Sequence, residues 1–130
     1  MGGLYVTWLL RPKFPPARLA DFSLACGAAA AAALRDVAGI ETAIKPPNDV
    51  LARGKDGRLR KVCGILCEAS GGSNSLDWLA VGVGINVNND PPLKLSTSLR
   101  SITGRRLGLA VVLNALMDRL TRVRRSEDFI

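Results

Sequence analysis

The sequence lacks histidine altogether and has only three cysteines among its 130 residues. Cys63 and Cys67 lie four residues apart, but there is neither a second cysteine pair nor a histidine to complete a four-ligand zinc site. With Cys26 the number of thiols is odd, which disfavours a disulfide framework. We therefore expect no metal site, and three reduced cysteines packed in the core of a cytoplasmic protein.

The sequence also lacks the features of a membrane-bound or exported protein. No stretch reaches the ~20 unbroken apolar residues of a membrane-spanning helix, and Gly27 interrupts the longest run of alanines. Arg11 and Lys13 follow the first apolar stretch, whereas the basic residues of a signal peptide precede it. A hydrophobic share of 48% is that of an ordinary globular protein, and 130 residues leave room for one domain.

What the chain has in excess is positive charge, with a net charge of +7. The excess lies in residues 94–125, where Asp118 is the only acidic residue beside one lysine and seven arginines. Such a segment either binds nucleic acid or an acidic partner, or is a solvated helix face. We favour the solvated face, because the segment has no aromatic residues to stack on bases.

Strand and helix patterns alternate along the chain and predict an α+β fold with helices packed against a mostly antiparallel sheet. Apolar residues at three- and four-residue spacing predict helices over residues 17–38 and 107–123, the first stopped by Gly39. Strand formers and turn residues predict strands at 4–10, 40–44, 61–68 and 79–87, with a polar hairpin turn at 53–58.

Residues 79–87 have an unusual two-faced pattern. Strand alternation places bulky side chains on one face, namely Leu79, Val81, Val83, Ile85 and Val87. The other face is nearly bare, with Ala80, Gly82, Gly84 and Asn86. Because glycines weaken a strand interior, something should approach this backbone closely. The pattern leaves open whether that is a ligand or the alanine-rich helix.

Two further segments carry polar groups that could do chemistry. Lys45 and two prolines precede Asn48 and Asp49, and the prolines stiffen the turn in which these side chains either cap the backbone or face a ligand. Lys61 enters an otherwise apolar strand close to Gly64. It either reaches solvent at the strand end or meets an anion over the gap that Gly64 leaves.

Taken in order, the runs GGLYVTWLLRP, KPPNDV, KVCGILCE and GVGINVN resemble the catalytic domain of biotin protein ligases. The related lipoyl ligases share the fold, but this combination of motifs favours the biotin branch. The resemblance implies an antiparallel sheet like that of class II aminoacyl-tRNA synthetases. It also implies an enzyme that joins biotin and ATP, with Mg²⁺, into biotinyl-5′-AMP and transfers biotin to a lysine of a biotin carboxyl carrier protein. A homodimer is possible.

The resemblance also assigns roles to individual residues. Lys61 and Asp49 are the implied catalytic residues, with Lys61 against the biotin carboxylate and the adenylate linkage. The implied biotin pocket consists of Lys61, Gly64, Ile65, Leu66, Gly82 and Gly84. The implied contacts to ATP or the adenylate are Lys45, Asn48 and Asn86.

The chain departs from the family pattern in two ways. Pro46 stands where the family most often has tryptophan, which we expect to alter packing rather than chemistry. The family also has an N-terminal segment with a glycine- and arginine-rich loop and a small C-terminal β-domain, so we expect residues 1–130 to be a partial catalytic domain. The alternatives are a non-catalytic remnant that binds biotin or the adenylate, and one half of a split ligase.

Overall fold

The computed structural model describes residues 2–92, 94–126 and 129, which form one layer of strands and one of helices. The strands are β1 (Leu4–Leu10), β2 (Thr42–Lys45), β3 (Asp49–Arg53), β4 (Leu59–Gly71) and β5 (Leu76–Ile85). The helices are α1 (Leu19–Ala38), α2 (Leu99–Thr103) and α3 (Leu109–Arg125). All neighbouring strands are antiparallel, in the order β1-β5-β4-β3-β2. The predicted α+β class is confirmed.

The long helix α1 begins slightly later than its apolar spacing predicts. A 3-10 turn at Pro16–Arg18 leads into it, since proline fits the first turn, where its missing N–H is not needed. Gly39 ends the helix as predicted, with a φ of 64° in the left-handed region that glycine favours. α1 packs against α3 and against β2, β3 and β4.

The apolar character of α1 is explained by burial. The segment Pro16–Ala38 has the length and composition of a membrane-crossing helix. Its inward side chains nevertheless pack in the core, where Phe22 and Leu34 are fully buried. Long core helices pass the same hydropathy test, so we interpret α1 as the core helix of this domain.

The three cysteines are free and belong to the packing between helix and sheet. Burial raises the pKa of the Cys26 and Cys63 thiols to about 12. Cys67 is half-buried, and burial raises its pKa as well. Thiols with raised pKa values stay protonated at neutral pH and are poor nucleophiles and metal ligands.

The basic C-terminal helix presents charged side chains to solvent and uses some of them to pair with its surroundings. Arg119 bridges to Asp36 of α1 at 2.8 Å and holds the pKa of that carboxyl below its usual range. Arg122 pairs with Asp118 one turn earlier on α3, also at 2.8 Å. These contacts agree with the interpretation of this segment as a solvated helix face.

The connection between β5 and α3 differs from the prediction. Ser98 caps the unpredicted α2, and its Oγ accepts a hydrogen bond from the Ser101 N–H at 3.1 Å. Leu107 is not the first residue of the closing helix. Its carbonyl accepts from the Asn88 amide at 2.7 Å, and its N–H donates to the Asn88 oxygen at 2.9 Å. Because the Leu107 carbonyl is bonded to the Asn88 side chain rather than to an N–H of the next helical turn, α3 begins at Leu109.

We expect Asn88→Ala to lower the free energy of unfolding by about 2–3 kcal/mol, because it leaves a buried N–H and a buried carbonyl of Leu107 without partners. Urea denaturation followed by circular dichroism measures the change. Asn74→Ala, in the exposed β4–β5 loop, is the matched control and should change little. Equal stability of the two variants would contradict the structural role of Asn88.

Candidate functional site

The two-faced pattern of β5 separates the core from an open surface. The bulky side chains at 79, 81, 83, 85 and 87 are all buried against the helix layer. On the opposite face the glycines stand next to exposed side chains, with Tyr5 76% and Leu66 58% exposed. The glycine face is therefore the outer face of the sheet.

Strand pairing aligns the small residues of this face into a trough. One row runs across the sheet as Tyr5, Gly84, Gly64, Asp49 and Lys45. The next row is Thr7, Gly82 and Leu66. The trough has a volume of about 500 Å³, within the range of small-molecule sites.

Helix packing does not explain the glycines. A Cβ built on Gly82 would meet only the Leu66 carbonyl oxygen, at 3.5 Å, and one on Gly84 would meet only the Tyr5 ring, at 3.4 Å. The glycine of α1, Gly27, instead faces Ile65 on the inner side of the sheet. Of the two interpretations that the sequence left open, the described residues therefore exclude the packed helix.

A β-bulge in β4 brings Lys61 to the outer face. Val50 pairs with Cys63 but Leu51 pairs with Lys61, so Val62 is an extra residue. Val62 and Cys63 are consequently both buried, although they are adjacent in a strand. Without the bulge, Lys61 and Gly64 would lie on opposite faces, because their separation is odd. With it, the Lys61 ammonium lies 3.2 Å from where a Cβ of Gly64 would be.

The backbone of Lys61 is held by a segment that follows β5. Its N–H donates to the Leu95 carbonyl and its carbonyl accepts from the Thr97 N–H, both at 2.8 Å. This parallel bridge to residue 96 fixes the point from which the lysine side chain extends. The ammonium pairs with the Asp49 carboxylate at 3.0 Å, and both side chains are partly exposed.

The proline-rich turn joins β2 to β3 at the same end of the trough. The Asn48 carbonyl accepts from the Ile65 N–H at 2.9 Å, which ties the turn to β4. Asn48 and Asp49 line the trough. Lys45 lies across from Asp49 and lines an adjoining groove of about 290 Å³ together with Lys61 and Arg60. The Lys61–Asp49 pair thus stands between two concave surfaces.

Sequence comparison with curated proteins places these features in a known family, although no family model matches the chain. The bifunctional ligase/repressor BirA of Bacillus subtilis is 32% identical over 121 residues, which are 88% of this chain and 36% of that protein. A biotin–[acetyl-CoA-carboxylase] ligase of Paracoccus denitrificans is 38% identical over 96 residues, covering 69% of this chain and 36% of that protein.

The fold agrees with the sequence match. The Aquifex aeolicus biotin protein ligase, solved in complex with biotin and ATP, superposes with a TM-score of 0.79 at 34% sequence identity. The alignment covers 95% of this chain and 50% of that one. The chain belongs to the biotin protein ligase family. It spans about a third of the length of these curated relatives.

Most of the residues to which the ligase resemblance assigns a role lie together. Lys61, Asp49, Asn48 and Leu66 line the trough with the three glycines Gly64, Gly82 and Gly84. Ile65 also borders it, but its side chain is 2% exposed and packs towards α1, so the trough meets mainly its backbone.

Among the assigned residues, Lys45 lines the adjoining groove, whereas Asn86 lines neither the trough nor that groove. It follows the end of β5, where its N–H donates to the Val62 carbonyl at 2.9 Å. Its side-chain oxygen accepts from the Asn89 amide at 3.0 Å. These hydrogen bonds stabilise the connection from β5 to the segment around residue 96. They give Asn86 a structural role that competes with the implied contact to adenosine.

Two trough residues were not singled out from the sequence. Tyr5 and Thr7 line one side of the trough from β1, opposite Gly84 and Gly82. Alternation along residues 4–10 places them on a common face. That alternation does not reveal which strand pairs with β1 or in which register. The sequence therefore could not connect Tyr5 and Thr7 to the glycines.

Proposed function

We propose that this chain supplies the ligand-binding core of a biotin–[carrier protein] ligase, which forms biotinyl-5′-AMP from biotin and ATP and then transfers biotin to a carrier lysine. The observation that carries the proposal is the bare glycine trough ending at Lys61, found in a member of the biotin protein ligase family. The family relation supports an ATP-dependent ligase rather than a binding protein of another kind.

The shape of the trough suits the first substrate. Three glycines leave a flat floor on which a ring and an acyl chain can lie against the backbone. Tyr5 and Leu66 provide apolar walls, and the charged pair stands at one end. A carboxylate ligand would therefore bind with its carboxyl group towards Lys61 and its apolar body along Gly64, Gly82 and Gly84.

In the first step a carboxylate oxygen of biotin attacks the α-phosphorus of ATP, and pyrophosphate leaves. Two anions must approach each other, so a fixed positive charge at that point lowers the barrier. Lys61 is the one cation lining the trough among the described residues, and its backbone N–H and carbonyl are both hydrogen-bonded to the segment around residue 96. In the second step the carrier lysine attacks the acyl carbon and AMP leaves.

We place the nucleotide in the adjoining groove, across Lys61 from the trough. The adjoining groove presents Lys45, Arg60 and Lys61, of which Arg60 pairs with Asp56 at 2.6 Å and Lys61 with Asp49 at 3.0 Å. A triphosphate bound there would take these cations over from the carboxylates. Asn48 lies at the border between the two surfaces. We retain Asn86 as a candidate adenosine contact, with its bond to Asn89 as the competing structural role.

Magnesium would arrive with ATP. Mg²⁺ is usually held by one or two carboxylates together with substrate phosphates rather than by a protein cage. Among the described residues no group of three or more His, Cys, Asp and Glu side chains is placed to hold a metal. Asp49, the one carboxylate bordering the described trough, fits a single ligand to a nucleotide-bound ion.

The acceptor in this proposal is a biotin carboxyl carrier protein or domain, since one relative is named for acetyl-CoA carboxylase. We place the reaction in the cytoplasm, consistent with three free cysteines. The proposal includes a homodimer.

Lys61→Ala should lower the rate of biotinyl-adenylate formation by roughly a hundredfold or more, the scale for removing one group that stabilises the transition state. Single-turnover adenylation measures this in an active ligase that contains this chain together with the segments of its longer relatives. Lys61→Arg should recover only part of the rate, because the guanidinium fork and the ammonium differ in reach. An unchanged rate in the alanine variant would refute the assignment.

Gly82→Val and Gly84→Val should abolish biotin binding, because the branched side chain would fill the trough. Both variants should remain folded and change the free energy of unfolding by no more than about 1 kcal/mol, since a Cβ at either position meets no buried packing. Calorimetric titration and thermal melts test the two parts. Variants that unfold while their folded fraction still binds biotin would contradict the site.

Residues 1–130 alone should show negligible biotin-dependent exchange of pyrophosphate into ATP. The trough and the adjoining groove are both open to solvent, so the reacting carboxylate and triphosphate are neither enclosed nor shielded from water. Adding the N-terminal segment of a longer relative, fused or as a second chain, should restore exchange. Robust exchange by the isolated chain would show that it contains another phosphate site. If the chain with the added segment binds biotin but shows no exchange, the non-catalytic remnant is favoured.

A further inference from the structure

The charged end of the trough is already neutralised. Lys61 Nζ lies 3.0 Å from an Asp49 carboxylate oxygen, and of the described residues that line the trough only these two carry charged side chains. The trough is therefore locally neutral, although the chain as a whole carries a net charge of +7. A ligand carboxylate that reaches Lys61 meets a competing carboxylate at the same ammonium.

The ion pair can open without disturbing the fold. The Lys61 side chain is 46% exposed and that of Asp49 27% exposed, so neither charge is sealed in the core. The lysine backbone is held by Leu95 and Thr97, whereas its ammonium lies over the bare surface of Gly64. A change of partner needs only side-chain rotation above this glycine.

The Asp49 carboxylate has less freedom than the Lys61 ammonium that it faces, because its side chain is shorter and less exposed. Asp49 begins β3 directly after the proline-rich turn, it is paired with both Lys45 and Gly64, and the preceding carbonyl is bonded to β4. Its negative charge therefore stays close to the position that a ligand carboxylate would take beside Lys61. Like charges at such a distance repel, and the repulsion reduces the affinity for an anionic ligand.

We propose that Asp49 competes with the ligand carboxylate for Lys61 and thereby determines how strongly the trough prefers a carboxylate over its neutral counterpart. The proposal rests on biotin as the trough ligand and deepens that assignment. Asp49 is then a specificity-determining residue in the nucleotide-free protein. The ligand takes over the ammonium of Lys61 and leaves the Asp49 carboxylate facing the adjoining groove.

The test compares biotin with biotinamide, which differs in carrying no charge on its head group. Calorimetric titrations are made with residues 1–130 and with three variants, without nucleotide and with EDTA. Asp49→Asn should bind biotin roughly fivefold more tightly, the scale of an exposed ion pair, and should bind biotinamide as before. Lys61→Gln should weaken biotin binding and spare biotinamide. Asp77→Asn removes the same charge from an exposed position outside the trough and should change neither.

Unchanged or weaker biotin binding by Asp49→Asn, or an equal change for both ligands, would overturn the proposal while leaving biotin as the ligand. If the unaltered chain does not bind biotin, the proposed function loses its support. The role of Asp49 is then tested with the acyl tail of biotin alone, as pentanoate and as its amide, pentanamide. Pentanoate, but not pentanamide, should then shift the Gly64 amide resonance, and at lower concentration in Asp49→Asn. Absence of that difference would overturn the role of Asp49 as well.

Discussion

Strand alternation in β5 is the constraint on which both the core and the site depend. Successive side chains must point to opposite faces, and this strand lies between β1 and β4. Its bulky residues belong to the hydrophobic core that the sheet shares with the helices, and each fully buried aliphatic side chain contributes about 1.5–3 kcal/mol. That exceeds the roughly 0.5–1 kcal/mol that a glycine costs in a strand interior relative to alanine. β5 therefore remains stable although its outer face carries two glycines.

The bare face alone would be a neutral apolar surface, and the bulge at Val62 changes its chemistry. One additional residue in β4 buries two neighbours in succession and turns Lys61 outward. The segment around residue 96 then fixes the backbone of that lysine. The positive charge in the trough is thus carried by a strand residue rather than by a loop residue. Backbone pairing on both sides of Lys61 fixes the point from which its side chain extends.

Much of the fold could be predicted from the sequence, because helix and strand periods are local properties. The strand at residues 4–10, the long alanine-rich helix and the hairpin turn at 53–58 needed only neighbouring residues. The short helix α2 was missed because its cap, Ser98, lies in a polar stretch without apolar periodicity. The displaced start of α3 depends on Asn88, a partner distant in sequence that no local pattern reveals.

The site was predictable in its composition but not in its assembly. The resemblance to biotin protein ligases identified Lys61, Asp49 and the glycines, which the structure brings together. Alternation counted from Gly64 would have placed Lys61 on the wrong face, and only the register with β3 reveals the bulge. Strand pairing likewise adds Tyr5 and Thr7. Asn86 lies outside the trough, with its N–H bonded to Val62 and its side-chain oxygen to Asn89.

Mapping the amide resonances of the chain on addition of a non-hydrolysable biotinyl-adenylate analogue tests the central claim most directly. If the outer face of the sheet is the ligand site, the largest shifts should occur at Gly64, Gly82 and Gly84, while Gly27 and Gly39 of the helix layer stay in place. Shifts concentrated in the helix layer, or saturable binding that leaves the three trough glycines unmoved, would contradict the account.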